Sequence, residues 1–437
     1  MIFGVPIILA IIAFVFVIFI HELGHYFVGR LCGIGASSFS IGFGPKLVSV
    51  VDRNRTEWML CLIPLGGFVK FRSDNDIVVL QNQLDDTSKV RNSYFTTQSS
   101  FESSSLLKRS ITVLAGPFAN FLLAVVIFAY VAFVSGTMSN EPIVGNVADL
   151  PSNTESLVEG DQILSVQDQK IERFDQVFEI AANADPSINV KFEVLRQGRV
   201  LVIDVPYLFQ PVVFNIEMLS PAMKAGIKVG DVFVQANNKK VSSFDDIKRA
   251  INDSNGLPVS VVLWRNGTLI ESNITPEMRP TETQNGNIVE QMRIGVRGGP
   301  LFSPVMKTPN IFEAGSIGVQ MTFYVVRMSL VGLVRMIDMT ISPKHLSGPV
   351  GIAKALSYSA VEGAISFLSL LAAISAGIAL INLFPIPILD GGYLMVFLYE
   401  LVFKAPPPSY IIKFFMMIGF FILFGLMVFA TFNDIVR

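Results

Sequence analysis

The chain has 437 residues, of which 51% are hydrophobic and only 16% charged, against about 25% charged in an ordinary soluble domain. With a mean hydropathy of +0.55, that much apolar surface cannot all be hidden in a soluble core, so an integral membrane protein is expected. The net charge of −2 offers no basic field for nucleic acid, and two cysteines, Cys32 and Cys61, exclude a disulfide-stapled scaffold.

A helix needs about 20 apolar residues to cross a ~30 Å hydrocarbon core. Met1–Ile20, Ser110–Asn140, Gly363–Leu389 and Phe414–Asn433 contain no Asp, Glu, Lys or Arg, which predicts four transmembrane helices near 3–29, 107–134, 364–384 and 411–432. The first run has no basic n-region and no small-x-small cleavage site, so it is expected to be a retained helix rather than a signal peptide. Ten Lys and Arg from Arg30 to Arg109, Lys89 and Arg91 among them, follow the first helix, and Lys404 and Lys413 separate the last two. The positive-inside rule then places both loops in the cytoplasm, and both termini and Thr137–Glu362 outside.

The first helix runs into His21-Glu22-Leu23-Gly24-His25, an HExxH motif. Residues i and i+4 share a helix face, so both imidazoles can meet one zinc ion, with Glu22 beside them as general base. The plain alternative is that the histidines cap or pack a helix end. Arg30 marks the cytoplasmic interface five and nine residues further on, which sets the pair roughly 8–14 Å deep at 1.5 Å per residue. Ionisable groups at such depth are functional by default.

The external region repeats itself. Gly160-Asp161 returns as Gly230-Asp231, Phe174-Asp175 as Phe244-Asp245, and Arg196-Gln197-Gly198 as Arg265-Asn266-Gly267. A period near 70 residues suits two small tandem domains better than a solenoid. Both copies, the second more closely because of its Ala225-Gly226, resemble PDZ domains, which capture extended peptides at a sheet edge. Peptide capture and mere shaping of access to the membrane both remain open. Phe312–Thr340, interrupted by Glu313, Arg327, Arg335 and Asp338, is expected to be an amphipathic connector. The expected domains are therefore 1–136, 137–210, 211–305, 306–362 and 363–437.

Tetrahedral zinc in a catalytic site needs a third protein ligand and leaves the fourth position to water. Asp390 ends the third apolar run and arrives at the same leaflet as His21 and His25; a solvated helix-end aspartate before Gly391-Gly392 is the alternative. His345 falls on the opposite side.

HELGH, Gly348-Pro349 and Asn382-Leu-Phe-Pro-Ile-Pro-Ile-Leu-Asp-Gly391 together resemble the site-2 protease family, in particular its bacterial regulator-of-sigma-E branch, over essentially the whole chain. The resemblance implies a polytopic α-helical intramembrane zinc metalloprotease of the inner membrane with two periplasmic PDZ-like α+β domains. It implies His21, His25 and Asp390 as Zn2+ ligands, Glu22 as catalytic base on the cytoplasmic side, and Asn382 and Pro385 as substrate-binding residues. An interhelical hydrogen bond is the simpler role for Asn382. Ile41–Pro45 and Leu65–Val69 match a membrane-associated β element that pairs with unwound substrate, or form an ordinary surface hairpin. Gly116-Pro117 and Asn120 also match and are read as packing. The implied substrates are single-span membrane proteins such as an anti-sigma factor, and signal-peptide remnants. A catalytically inactive PDZ scaffold with structural zinc is the main rival; a metal transporter fits less well, because intramembrane acids are few.

Overall fold

The computed structural model describes residues 4–74, 99–151, 157–182, 185, 188–282 and 288–436; Lys89 and Arg91 lie outside them. The chain divides into two compact units, one of Met1–Val131, Phe312–Leu330 and Leu346–Arg437, the other of Ala132–Ile311 and Val331–His345. The first unit opens with α1 (Gly4–Leu31), an antiparallel hairpin of β1 (Ala36–Val51) and β2 (Glu57–Phe71), and α2 (Leu106–Ser135). The hairpin turn is closed by Asp52, whose Oδ1 accepts from the amides of Asn54 and Thr56. Its Oδ2 accepts from Tyr26 of α1 and from the Trp58 indole, which ties the hairpin to the helix that carries HExxH. Beyond that anchor Val48, Val50, Val51 and Leu62 are exposed, as suits a strand pair against lipid.

The second unit contains the repeat. Its first copy has β3 (Val144–Val147), β4 (Gln162–Val166), β5 (Gln169–Lys170), α3 (Phe174–Ala182), β6 (Val190–Arg196) and β7 (Arg199–Val205), with sheet order β5-β4-β6-β7. The second has β8 (Val213–Ile216), α4 (Pro221–Lys224), β9 (Val232–Ala236), β10 (Lys239–Lys240), α5 (Phe244–Asp253), β11 (Val259–Arg265) and β12 (Thr268–Ile274), ordered β10-β9-β11-β12. Each copy has its own core, around Phe174 and Phe192 in one and Phe233 and Ile247 in the other. The repeated Gly-Asp and Arg-x-Gly motifs are partners: Arg196 grips the fully buried Asp161 through two 2.7 Å hydrogen bonds, and Arg265 grips Asp231 through two of 2.6 Å.

After the second copy come β13 (Glu277–Glu282), β14 (Ile288–Arg293), β15 (Val296–Gly298) and β16 (Phe302–Pro304). β15 pairs with β8, whereas β16 returns to pair with β3 of the first copy. Phe302 packs there against Phe174 and Phe192. A linear division at 210/211 therefore parts Phe302 from the core it completes. His345, the one histidine outside HExxH, sits 3.1 Å from Glu290 of β14.

The remaining helices are α6 (Ile311–Ile337), α7 (Pro349–Glu362), α8 (Ala364–Asn382), α9 (Asp390–Phe403) and α10 (Ser409–Val436). Each of the four expected spans falls on a long apolar helix. The described residues hold five helices long and apolar enough to cross a membrane, because α6 qualifies as well, against the expected four. The charges that interrupt its sequence lie mostly at its ends, Glu313 in the first turn and Arg335 in the last. Its Gly318 approaches α2 so closely that a Cβ would overlap the carbonyl of Val125. Small side chains also mediate the central crossing, where Ala124, Ala372 and Ala376 are fully buried beside Val17; close backbone approach is how helices associate where the solvent is itself apolar. Gly348 caps α7 and Pro349 is its first residue, and Oδ2 of Asp434 on α10 accepts from the Gly351 amide at 2.7 Å.

Candidate metal centre

All the groups discussed next belong to the first unit. α1 presents His21, Glu22 and His25, each only 8% exposed. Helical spacing puts the two imidazoles on one face, and their Nε2 atoms lie 3.2 Å apart. Asp390 approaches from a different part of the chain. α8 stops at Asn382 because Pro385 and Pro387 cannot continue it, and α9 starts at Asp390 itself. The intervening segment is strained: Ile388 has φ +90, a genuine outlier for a β-branched residue and a cost of order 1–3 kcal/mol. Gly391 and Gly392 let the chain fold onto itself, since a Cβ on either would overlap carbonyl groups of residues 383–386.

The outcome is a compact donor set. Oδ2 of Asp390 is 3.1 Å from Nε2 of His21, and Oδ1 is 3.4 Å from Nε2 of His25. Zinc bonds of roughly 2.0–2.2 Å at tetrahedral angles require donors about 3.3 Å apart, so the three side chains fit that ion, and among the described residues they form a group able to hold a metal. Nδ1–H of His25 donates to the carbonyl oxygen of Thr112 on α2 at 2.9 Å. That bond leaves Nε2 with its lone pair toward the shared point, the usual arrangement behind a metal-bound imidazole. Nδ1 of His21 and Oδ2 of Asp390 are buried without a hydrogen-bond partner among the described residues.

Glu22 lies beside this set and is held by the β element. Gly67 sits so close that a Cβ would come 2.9 Å from Glu22 Cγ and 2.7 Å from the Ser40 carbonyl. A cavity of about 670 Å³ exposes His21, Glu22, His25, Asp390 and Asn382 to one space floored by residues 66–73. Asn382 Nδ2 is 3.5 Å from Nε2 of His21. Pro385 lines a neighbouring apolar cavity of about 860 Å³, where α9 and α10 supply most of the wall. The Thr112 carbonyl, Gly67 and the tight approach of Gly116 to the His25 ring were absent from the expected site. Both glycines had a signal, Gly116 in a matching Gly-Pro motif and Gly67 in the matching Leu65–Val69 segment.

The sequence pattern of peptidase family M50 matches residues 9–426. A protein of Agrobacterium fabrum named as a candidate zinc metalloprotease is 30% identical over 96% of this chain and 92% of its own. The regulator of sigma E protease of Haemophilus influenzae is 28% identical over 98% of each. A solved PDZ domain of an SdrC-like protein from Listeria monocytogenes is 15% identical over 22% of this chain and 93% of its own, with a TM-score of 0.17; at that score the likeness adds nothing to the topology above.

Proposed function

Because the chain belongs to peptidase family M50, it is a zinc metalloprotease of the site-2 type in a multi-pass membrane setting, and we propose that it cuts the transmembrane segments of single-span proteins. In this reading His21, His25 and Asp390 hold the zinc, Glu22 is the general base, and Asn382 and Pro385 help hold substrate. The observation that carries it is the donor spacing of 3.1, 3.2 and 3.4 Å with Glu22 beside it in one cavity.

Zinc, when bound, supplies a Lewis acid that polarises a carbonyl and acidifies water. Glu22 takes the proton of the attacking water and delivers it to the departing amine nitrogen. The β2 edge beside Glu22 offers main-chain groups to a substrate whose helix has opened, and the Asn382 amide can donate to and accept from the same extended backbone. The His25–Thr112 bond keeps the imidazole from turning.

The membrane topology of this reading has four crossings, by α1, α2, α8 and α10. α8 ends beside the cytoplasmic half of α1, where Asp390 meets His21 and His25, so α8 must begin on the side where α2 ends. An even number of crossings must separate them. α6 is long enough to cross once, but α7, with 14 residues, reaches about 21 Å and falls short of a ~30 Å core. The excess of Lys and Arg between α1 and α2 favours the cytoplasm for the active site and the periplasm for the repeat, in a bacterial inner membrane. The name of the Haemophilus relative favours an anti-sigma factor as substrate, in an envelope stress response, with signal-peptide remnants as a second class. The two PDZ-like modules would either capture a peptide or restrict access to large ectodomains.

Glu22→Gln tests the reading. Cleavage of a reconstituted single-span substrate should fall by at least about 100-fold while bound zinc persists. Cleavage at the wild-type rate would reject it.

A further inference from the structure

A buried asparagine on α2, the helix whose Thr112 carbonyl holds His25, is left over from packing. Asn120 on α2 is 0% exposed, and neither Oδ1 nor Nδ2 has a hydrogen-bond partner among the described residues. Its backbone is engaged, its carbonyl accepting from Ser375 of α8 at 2.8 Å, so the residue is fixed while its amide is idle. An unpaired amide inside an apolar bundle is costly, and a leucine of similar shape would avoid the cost.

The register of α1 against α2 shows what the amide is for. The helices run antiparallel: a Cβ on Gly24 would meet Ala115 and Ala119, and one on Gly116 would meet the His25 ring. Thr112, Gly116 and Asn120 follow one another at intervals of four and share a face of α2. His25 uses the first two, donating Nδ1–H to the Thr112 carbonyl and resting its ring on Gly116. His21 is one turn before His25, so it stands one turn further along α2, level with Asn120. Nδ1 of His21 is the other buried nitrogen in this region that lacks a partner. One orphaned donor and one orphaned acceptor thus occupy matching positions on facing helices.

We propose that Asn120 is a positioning residue for the metal centre: its Oδ1 is the acceptor that holds Nδ1–H of His21 through one buried water, in the role the Thr112 carbonyl plays for His25. The bond selects the tautomer that leaves His21 Nε2 free to ligate and keeps the ring from rotating. Asn120→Leu removes the acceptor and Asn120→Asp keeps one. The proposal rests on the metal-site reading above.

Its test is zinc affinity of the full-length protein in detergent, measured by competition with a chromophoric chelator, beside the thermal stability of the metal-free form. Asn120→Leu should bind zinc about 10–100-fold more weakly with a metal-free melting temperature no lower than wild type. Asn120→Asp should stay within a few-fold of wild-type affinity and retain the wild-type visible spectrum when loaded with cobalt. Equal zinc affinity in Asn120→Leu and wild type would overturn the proposal, and so would a loss in both variants that only tracks reduced metal-free stability. If wild type itself bound no stoichiometric zinc, the metal-site reading would fail instead.

Discussion

Oδ2 of Asp390 lies 3.1 Å from Nε2 of His21, though one residue opens α9 and the other belongs to the first helix of the chain. Two imidazoles alone make a weak zinc site, and in the proposed reading the carboxylate would both complete the donor set and compensate the ion's charge. Asp390→Ala is therefore expected to lower zinc affinity by more than the roughly 10–100-fold that loss of an outer partner costs, and to abolish cleavage. Metal content after dialysis against a chelator measures the first. Full zinc retention in that variant would reduce the Asp390–His21 approach to an ordinary hydrogen-bonded contact.

In the proposed reading, two glycines bear on different steps, one on metal binding and one on catalysis. A Cβ on Gly116 would overlap the His25 ring, whereas one on Gly67 would meet Glu22 Cγ and the Ser40 carbonyl. Gly116→Ala should displace the imidazole and weaken zinc binding by about tenfold or more. Gly67→Ala should leave zinc bound and slow cleavage by shifting the β element against the base. Paired metal analysis and cleavage assays on the two variants decide it; the same phenotype in both would mean that the two contacts do not act separately.

Much of this site was legible before any fold was known, because its chemistry is spelled in side chains. HELGH reveals a helix face by its spacing, and Asp390 stands out as the first acid after a long apolar run. What supports those residues was hidden for physical reasons. The Thr112 carbonyl is a backbone group that any residue could supply, and the need for glycine at 67 or 116 exists only once a particular partner packs there. The repeat announced two modules, yet nothing local in Phe302 says that it returns to the first core. The charges of α6, read along the chain, looked like interruptions; on the helix most of them fall at its ends.

The buried aspartates of the repeat give a prediction in the second unit. Asp161 and Asp231 are fully buried at their side chains, and each is matched by one arginine. Removing a partner leaves an uncompensated buried charge, which costs about 3–5 kcal/mol. Arg265→Ala should destabilise the second copy by that order, and Arg196→Ala the first, each seen as earlier unfolding or local proteolysis of the copy concerned. Arg265→Lys should recover only part of the loss, because an ammonium cannot reproduce the two-bond fork. An unchanged proteolytic pattern in Arg265→Ala would refute this account.

The Gly348-Pro349 motif ends in a similar argument within the first unit. Pro349 begins α7 without an amide to satisfy, and the Gly351 N–H two residues on donates to Oδ2 of Asp434. Both glycines are required for the approach, since a Cβ on either would collide with the Asp434 carboxylate. The anion also faces the positive end of the helix, where such a charge is favourable. Asp434→Ala strands a buried amide and should cost about 1–3 kcal/mol, whereas Asp434→Asn keeps an acceptor oxygen and should cost less. Unfolding of both variants in detergent, followed by the thermal midpoint, distinguishes the two. Equal midpoints for Asp434→Ala and wild type would show that α7 is held by its apolar face alone.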